Sequence, residues 1–219
     1  MRNLVIYGDS AFAERLSSYI ILEKRDKLIG YTNDDSFITR SAIKGLPVMP
    51  FSKLKDIVKE DFEIILGIGY TKMNNLRKKV YEECKEAGFV VGNYISSQAI
   101  IYSDKLDEGT IILPNVMIGP GTKIGKCNFF ESSVSVSHDS TIGDFNFIST
   151  GVVIGGYSNI MNHCFIGLNS TIKNDIIIMD YSLIGAGSNV LHTTECGGVF
   201  YGNPAKKIKN KKSIGVRIH

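Results

Sequence analysis

The residues best suited to chemistry are His138 and Asp139, which are neighbours in the stretch SVSVSHDSTIGDFNFI at 133–148. A neutral imidazole titrates near physiological pH, so His138 could accept a proton from an attacking amine or hydroxyl group. The adjacent carboxylate could orient the ring and stabilise the imidazolium that forms. The residues alone leave a second interpretation open, in which His138 is an exposed polar residue on a strand.

The elements that must position this pair follow from a six-residue period. An apolar residue stands at every sixth position from Ile100 to Val190 without a break. The residue after it is often glycine, as at Gly119, Gly125, Gly143, Gly155, Gly167 and Gly185. Such a hexapeptide repeat is typical of a parallel β-helix, in which three sides close a triangular coil of about 18 residues. We expect the apolar residues to fill the prism and the glycines to accommodate its tight corners.

The spacing of the histidines argues against a metal site. His138 and His192 are 54 positions apart (192 − 138), which is three predicted coils. Because stacked strands lie about 4.8 Å apart, these imidazoles would be roughly 14 Å from each other, whereas zinc–ligand bonds are about 2 Å. The four cysteines form no CxxC motif. The sequence therefore predicts no metal and no disulfide scaffold.

The first ninety or so residues have a different pattern. Short apolar runs at 2–8, 27–34, 46–50, 62–69 and 89–95 predict strands, and the segments 11–24, 51–60 and 71–88 predict helices. Strands that alternate with helices indicate an α/β domain with a small parallel sheet, similar to a Rossmann fold.

Composition narrows the class of protein further. The chain has 219 residues, of which 43% are hydrophobic and 21% charged, and its formal net charge is +3. No basic patch is interleaved with aromatic residues, so we expect no nucleic-acid partner. No apolar run has the length of a membrane span, and the N-terminus lacks the features of a signal peptide. We therefore expect a cytoplasmic protein whose lysine-rich tail is solvated.

The whole chain resembles the bacterial sugar acyltransferases of the left-handed β-helix superfamily. It is most similar to the two-domain group that acetylates nucleotide-linked amino sugars and sialic acids. The order of the domains carries the resemblance, together with VSHDSTIGDF at 136–145, STGVVIGGYSNIMNHCFIGLNSTI at 149–172, LIGAGSNV at 183–190 and VFYGNPAKKI at 199–208. The resemblance implies CoA-dependent acyl transfer with acetyl-CoA as co-substrate and no metal.

The resemblance also implies roles for residues of the repeat. His138 would be the general base, Asp139 its orienting partner, and the backbone amide of Gly156 would stabilise an oxyanion. The groove for the pantetheine arm of CoA would be lined by Leu168, Gly185, Ala186 and Gly187. The adenine and phosphate end of CoA would pack near Pro204, Ala205 and Lys206.

In the first domain the resemblance implies a site for a nucleotide-linked sugar. The implied contacts are Gly8, Ser10, Asn33, Asp34, Gly69 and Tyr70. The sequence departs from the family pattern here, because GDSAFA at 8–13 replaces G-x-S-G-H-G and GYTND at 30–34 replaces G-F-x-D-D. Phe147 stands where relatives often have a second histidine.

These observations predict three segments: a nucleotide-sugar-binding α/β domain at 1–96, a left-handed β-helix at 97–200, and a closing turn with a basic tail at 201–219. The expected reaction is acetylation of the amino group of a nucleotide-linked deoxy amino sugar for surface glycan biosynthesis. The resemblance further implies a homotrimer with each acyl-CoA groove between neighbouring prisms. O-acetylation of a sugar hydroxyl, transfer of a longer acyl group, and a binding or structural β-helix without activity remain open as alternatives.

Overall fold

The computed structural model of the chain describes residues 1–217, which form two compact units. The N-terminal unit comprises Met1–Gly69 and Lys79–Asn93. The β-helix unit comprises Tyr70–Lys78 and the chain from Tyr94 onwards. Residues 70–78 and the described part of the C-terminal tail both belong to the β-helix unit.

The N-terminal unit contains a five-stranded sheet with the strand order β3-β4-β2-β1-β5. Its strands are β1 (Asn3–Tyr7), β2 (Lys27–Asn33), β3 (Ala42–Ile43), β4 (Leu46–Pro50) and β5 (Glu63–Leu66). The helices that accompany them are α1 (Ala11–Glu23), α2 (Leu54–Ile57) and α3 (Asn75–Glu86), with 3₁₀ turns at Asp35–Phe37 and Phe51–Lys53. The α3 residues 75–78 belong to the β-helix unit.

The sheet is mixed rather than wholly parallel. Strands β1, β2, β4 and β5 pair in parallel, but β3 pairs antiparallel with β4. A two-residue turn joins β3 to β4, and both of its residues, Lys44 and Gly45, have positive φ angles of 49° and 77°. This backbone matches the twist of a tight hairpin, which explains the antiparallel pair.

Three predicted elements of this unit are shorter than the sequence indicated. The segment 51–60 is helical only to Ile57, and the segment 71–88 becomes an α-helix only at Asn75. The expected strand at 89–95 does not form as such: Val91 makes an isolated bridge to Ile64. Tyr94–Ile95 instead forms β6, the first strand of the β-helix.

The central strand β1 fixes the position of the loops that follow the strands. Its residues Leu4, Val5 and Ile6 are fully buried, as expected for a strand covered on both faces. The chain moves from β1 to β2 and β4 on one side and then returns to β5 on the other side. In open α/β sheets, ligands bind at such a switch point, beyond the carboxyl ends of the strands.

The β-helix unit consists of three sheets whose strands pair in parallel, except for one antiparallel strand, Lys206–Lys212, at the end of the third sheet. Successive strands in a sheet pair Ser135 with Val153 and Thr141 with Asn159, an offset of 18 residues (153 − 135). The sheet orders are β22-β19-β16-β13-β10-β7, β20-β17-β14-β11-β8 and β24-β23-β21-β18-β15-β12-β9-β6, called here faces 1, 2 and 3.

Most strands of these faces are two residues long. They are β6 (Tyr94–Ile95), β7 (Ile100–Ile101), β8 (Lys105–Leu106), β9 (Ile111–Ile112), β10 (Met117–Ile118), β11 (Lys123–Ile124), β12 (Phe129–Phe130), β13 (Ser135–Val136), β14 (Thr141–Ile142), β15 (Phe147–Ile148), β16 (Val153–Ile154), β17 (Asn159–Ile160), β18 (Phe165–Ile166), β19 (Thr171–Ile172), β20 (Ile177–Ile178), β21 (Leu183–Ile184), β22 (Asn189–Val190), β23 (Gly198–Tyr201) and β24 (Lys206–Lys212). A further 3₁₀ turn spans Ser213–Gly215.

The six-residue series fills the prism from Ile112 to Val190, and all of its members there belong to one buried apolar cluster. The first member is an exception, because Ile100 is 53% exposed. The inward residue is Ile101, which pairs with Ile118 at an offset of 17 residues (118 − 101). This coil is one residue short, and a shift of one residue in a strand moves each side chain to the opposite face.

The repeat glycines act through close packing rather than through the corner geometry expected from the sequence. A Cβ on Gly119 would lie 2.8 Å from the backbone nitrogen of His138, and one on Gly155 would lie 2.6 Å from that of Asn174. The corner residues with left-handed backbone come three positions after each inward residue. Most of these corner residues, such as Asp139, are not glycine. Within residues 1–217, no helix is both long enough and apolar enough to span a membrane.

Candidate active site

His138 and Asp139 form a hydrogen-bonded pair at the corner between faces 1 and 2. The Nδ1 atom of His138 lies 2.8 Å from Oδ2 of Asp139, and the two side chains are 52% and 49% exposed. Asp139 adopts the left-handed conformation, with φ 53°, at this corner. The carboxylate can only accept, so the geometry assigns the proton to Nδ1 and leaves the Nε2 lone pair available as a base.

Residues of the preceding and the following coil border this pair. A Cβ on Gly156 would lie 3.0 Å from both Cε1 and Nε2 of His138, and a Cβ on Gly121 would lie 2.4 Å from Oδ1 of Asp139. The Tyr157 ring meets the imidazole edge-on, with centroids 5.1 Å apart and an interplanar angle of 89°. Two glycines therefore leave room for the imidazole and the carboxylate, and one aromatic ring supports the base.

The backbone amide of Gly156 is available for the oxyanion role. The carbonyl of this residue accepts a hydrogen bond from the amide of Asp175 at 3.0 Å. No acceptor in the described part of the chain, residues 1–217, is paired with the Gly156 N–H. At another corner, the corresponding amides of Lys126, Asp144 and Asn162 are occupied by side-chain oxygens of the next coil. The Gly156 amide thus remains a free donor beside the histidine.

The residues expected around CoA gather at the last coils. Leu168 and Ala186 occupy equivalent positions of successive coils, and the Leu168 carbonyl accepts from the Gly187 amide at 2.7 Å. A Cβ on Gly185 would lie 2.7 Å from the ring of Tyr201. No atom within 4 Å would meet a Cβ on Gly187, so its surface is open.

The closing segment at 204–206 joins this group through the strand β22. The Ala205 amide donates to the Asn189 carbonyl at 2.8 Å, and the Gly202 amide donates to Oγ of Ser188 at 3.2 Å. Pro204 is exposed, and Lys206 begins β24 opposite Tyr201. The structure thus brings the predicted CoA residues together.

The structure does not bring these CoA residues to His138 within one chain. Leu168 and Ala186 follow strands of face 3 and precede strands of face 1, whereas His138 and Gly156 follow strands of face 1 and precede strands of face 2. The two groups therefore occupy different corners of the prism, on opposite edges of face 1.

In the N-terminal unit, four predicted substrate contacts lie at or just beyond the carboxyl ends of β1 and β2. The Gly8 amide donates to the Thr32 carbonyl at 2.7 Å, which ties the two strand ends together. Gly8 has φ 119°, a conformation that favours glycine, and a Cβ there would lie 2.8 Å from the Gly67 carbonyl oxygen. Ser10 is the N-cap of α1, but its side chain makes no capping hydrogen bond.

Asn33 and Asp34 are held by short polar contacts. Nδ2 of Asn33 donates to Oδ1 of Asp9 at 2.8 Å, and the Asp34 carboxylate accepts from the amide and the hydroxyl of Ser36 at 3.0 and 2.8 Å. These two hydrogen bonds lower the pKa of Asp34, so it is an anion at neutral pH. Arg40 donates to the Asp9 carbonyl and pairs with Glu14, which adds a cation to the same edge.

The last two predicted contacts, Gly69 and Tyr70, fall in different units. Gly69 belongs to the N-terminal unit, where a Cβ would lie 3.8 Å from the Phe12 ring. Tyr70 belongs to the β-helix unit, where its ring packs edge-on against Phe147 and Phe165, with centroids 4.9 and 5.0 Å away. Phe147 is buried in this aromatic stack.

Sequence reasoning missed Gly121, Tyr157 and Arg40. The first two could have been predicted from the sequence, because one coil has 18 residues: position 139 minus 18 is 121, and position 139 plus 18 is 157. Arg40 follows a short irregular segment that carries no sequence signal. Among residues 1–217, no three histidine, cysteine, aspartate or glutamate side chains are grouped so that they could hold a metal ion.

The N-terminal part of the chain matches a known protein family. Residues 3–84 match the family model described as the PglD N-terminal domain. This match covers the five-stranded sheet, most of α3 and all six predicted substrate contacts.

Solved structures show the same fold over nearly the whole chain. The acetyltransferase domain of PglB from Neisseria gonorrhoeae FA1090 has a TM-score of 0.82 at 19% identity, covering 95% of this chain and 100% of that chain. PerB from Caulobacter crescentus, solved with CoA and GDP-perosamine, has a TM-score of 0.73 at 20% identity, with coverages of 95% and 98%. WeeI from Acinetobacter baumannii AYE has a TM-score of 0.64 at 17% identity, with coverages of 95% and 100%.

These comparisons define the class of the protein at the level of fold. The predicted architecture, an α/β unit followed by a left-handed parallel β-helix, is confirmed. The resemblance stated above is confirmed in the fold, which the chain shares with the acetyltransferase domain of PglB, with PerB and with WeeI.

Proposed function

We propose that the protein transfers an acetyl group from acetyl-CoA to the amino group of a nucleotide-linked deoxy amino sugar for surface glycan biosynthesis. The observation that carries this proposal is the His138–Asp139 pair, whose imidazole lies against Gly156, a residue with an unpaired backbone amide. A base and an oxyanion donor side by side are what acyl transfer from a thioester requires. The similarity of the whole chain to PglB and PerB supports the same reaction class.

The proposed mechanism starts with the neutral acceptor amine, whose lone pair attacks the thioester carbonyl carbon. A carbon–nitrogen bond forms, and Nε2 of His138 accepts the proton that the nitrogen loses. Asp139 holds the proton on Nδ1 and stabilises the imidazolium. Collapse of the tetrahedral intermediate breaks the carbon–sulfur bond, and the imidazolium returns the proton to the departing thiolate.

The Gly156 amide has the complementary role in this mechanism. Negative charge develops on the carbonyl oxygen during the attack, and a fixed donor stabilises that charge without reorganisation. Because residue 156 is glycine, the imidazole and the acyl group can both approach the backbone at this point.

The proposal assigns the substrates to separate sets of residues. Acetyl-CoA would lie along Leu168, Gly185, Ala186 and Gly187, with its nucleotide end near Pro204, Ala205 and Lys206. The nucleotide-linked sugar would bind through Gly8, Ser10, Asn33, Asp34, Gly69 and Tyr70. Related folds support the two classes of ligand, since PglB was solved with acetyl coenzyme A and PerB with CoA and GDP-perosamine.

The proposed active assembly is a homotrimer in the cytoplasm. Because the CoA residues and His138 occupy different corners, a neighbouring chain would be needed to bring the two groups together. Face 1 also presents the outward apolar side chains Met117 and Val153, which association would bury. Four free cysteines, three of them buried, fit a reducing compartment.

A thiol-release assay tests the proposed reaction. Acetyl-CoA is offered with a panel of nucleotide-linked amino sugars to the wild type, to His138→Ala and to His192→Ala, an exposed histidine three coils further along. We expect release with an amino sugar in the wild type and in His192→Ala, and a loss of about 100-fold or more in His138→Ala. Absence of thiol release with every amino sugar of the panel would contradict the proposal.

A further inference from the structure

A cleft of about 400 Å³ in the β-helix unit contains only one of the residues assigned above, Tyr70. Residues 70–73 form one wall, and residues 214–217 of the C-terminal tail form the other. Both walls belong to the same unit. By sequence this tail is only a solvated basic end, so its place in a cleft calls for a physical explanation.

The first wall has an unusual backbone. Lys72, Met73 and Asn74 are consecutive and all left-handed, with φ angles of 50°, 51° and 63°. Residues with a Cβ adopt this conformation singly and at an energetic cost, so three in a row require support from their surroundings. Strained backbone of this kind concentrates at functional sites, where it presents groups that a relaxed chain would not present.

The β-helix supplies the support. Nδ2 of the fully buried Asn74 donates to the Cys164 carbonyl at 3.2 Å, and Nδ1 of His163 donates to the Met73 carbonyl at 3.2 Å. One turn further, the buried Arg77 donates to the carbonyls of two coils, at Cys127 and at residue 146. The strained turn is therefore held in place and does not depend on a ligand to form.

The second wall is also fixed. Ser213 is buried, and its amide donates to the Gly197 carbonyl at 3.0 Å. The Val216 amide donates to the Ser213 carbonyl at 2.9 Å, which closes the 3₁₀ turn that carries Ile214 into the wall. The two walls thus face each other across a preformed cleft.

The charge of the cleft indicates what it can bind. Lys72 and Arg217 are exposed and line the cleft, and no aspartate or glutamate lines it. Within residues 1–217, neither cation takes part in an ion pair. Two uncompensated cations beside an aromatic ring match a ligand that joins phosphate groups to a ring.

We propose that this cleft binds the phosphate groups of the nucleotide-linked sugar, with Lys72 and Arg217 as the cationic contacts and Tyr70 as the aromatic wall. That the ligand is a nucleotide-linked sugar rests on the proposed function. That it carries phosphate groups is inferred from the two cations that line the cleft. CoA also carries phosphates, so the experiment must separate the two sources.

Calorimetric titration separates them. UDP, GDP, dTDP and CoA are each titrated into the wild type, Lys72→Gln, Arg217→Gln, the double variant, and Lys53→Gln as a control at an exposed lysine of the N-terminal unit. We expect the Kd of the best nucleoside diphosphate to rise about tenfold in each single variant, the size expected when a hydrogen bond to a charged group is lost. The Kd of CoA and the melting temperature remain unchanged, and Lys53→Gln behaves as the wild type.

The outcomes also separate this inference from the proposed function. An unchanged nucleoside diphosphate Kd in the double variant would overturn the inference, and so would a selective loss of CoA binding. If the wild type binds a nucleoside diphosphate through these residues but releases no thiol with any amino sugar, the proposed reaction fails and the cleft assignment stands. With an active wild type, we expect a raised KM for the sugar and an unchanged kcat in both single variants.

Discussion

At the scale of single residues, the structure explains why a histidine and an aspartate can be neighbours on a strand-rich chain and still act together. Asp139 takes the left-handed corner conformation, and its carboxylate turns back to the Nδ1 atom of His138. The glycines one coil away on each side leave the space that both side chains need. The chemistry therefore depends on the corner geometry as much as on the residue types.

Exchange of Asp139 tests the orienting role. We expect Asp139→Asn to lower kcat by about 100-fold or more, because a neutral amide neither fixes the imidazole tautomer nor stabilises the imidazolium. Asparagine tolerates the left-handed conformation, so the fold should be kept. Asp175→Asn is the matched control, since Asp175 is also left-handed, with φ 58°, and lies two coils along the same corner. Full activity in Asp139→Asn would remove the carboxylate from the mechanism.

Gly156→Ala tests the space beside the base. The added methyl group would lie 3.0 Å from the imidazole ring, which is closer than carbon atoms normally pack, so the ring must move. The ring would shift by a few tenths of an ångström. Because a misplacement of about 1 Å can cost about 100-fold in rate, we expect this smaller shift to lower kcat by about tenfold with unchanged CoA binding. Asn174→Ala, one coil further along the same corner, should leave the rate unchanged. Wild-type kcat in Gly156→Ala would show that the ring does not occupy this position during turnover.

At the scale of elements, the period of six predicted the β-helix because each coil repeats the same inward position. The short first coil was not predictable, since Ile100 and Ile101 are chemically identical and only the pairing with Ile118 decides between them. Helix α3 begins at Asn75 rather than near residue 71, because tertiary contacts impose a left-handed turn that the residues themselves do not favour. A pattern that is repeated along the chain could thus be predicted from the sequence. A local departure caused by tertiary contacts, such as the short first coil or the late start of α3, could not.

The register of the first coil gives a stability prediction. We expect Ile118→Ala to lower the free energy of unfolding by about 2–5 kcal/mol, because its side chain is fully buried in the prism. Ile100→Ala is the control and should change it by about 0.5 kcal/mol or less, since that side chain is largely exposed. Urea unfolding of both variants measures the difference. Equal costs would mean that Ile100 is also packed in solution.

A buried histidine gives the β-helix unit a predictable response to acid. His163 is stacked between Phe145 and Tyr181, with centroids 5.3 and 4.7 Å away. Burial lowers the pKa of His163; the Met73 carbonyl and the carboxylates of Asp144 and Asp180 oppose this effect, and Lys78 adds to it. The nearby Arg77 is also buried, which lowers its pKa to about 10 and still leaves it charged at neutral pH.

The sign of the response follows from the lowered pKa. The unfolded chain binds a proton to this histidine near pH 6.5, whereas the folded chain binds it only at lower pH. The stabilisation is therefore complete above about pH 6.5 and is lost as the pH falls through that value towards the folded pKa. Urea unfolding at pH 7.5 and 5.5 should show a smaller acid-induced loss in His163→Gln, which keeps a donor for Met73, than in the wild type. Equal losses in the two proteins would contradict the prediction.

At the scale of the whole molecule, the proposed base and the proposed CoA groove lie at different corners of the prism in one chain. The resemblance implied both groups of residues from motifs in the sequence. The separation of the two groups depends on which face each strand belongs to. Leu168 follows a strand of face 3, whereas His138 follows a strand of face 1, so the two residues lie at different corners. Under the proposed function, a second chain must bring its groove to the His138 corner.

Mixed oligomers test this requirement directly. His138→Ala lacks the base, and Ala186→Trp fills the exposed groove position, so each variant alone should be inactive. In a trimer with sites between chains, any mixture of the two variants contains one interface where an intact base meets an intact groove. Mixed trimers purified through two different tags should therefore recover about one third of wild-type activity. Sedimentation should give the mass of three chains of 24.1 kDa each. A mixed trimer without activity would place base and groove in the same chain, because complementation between two defective chains is then impossible.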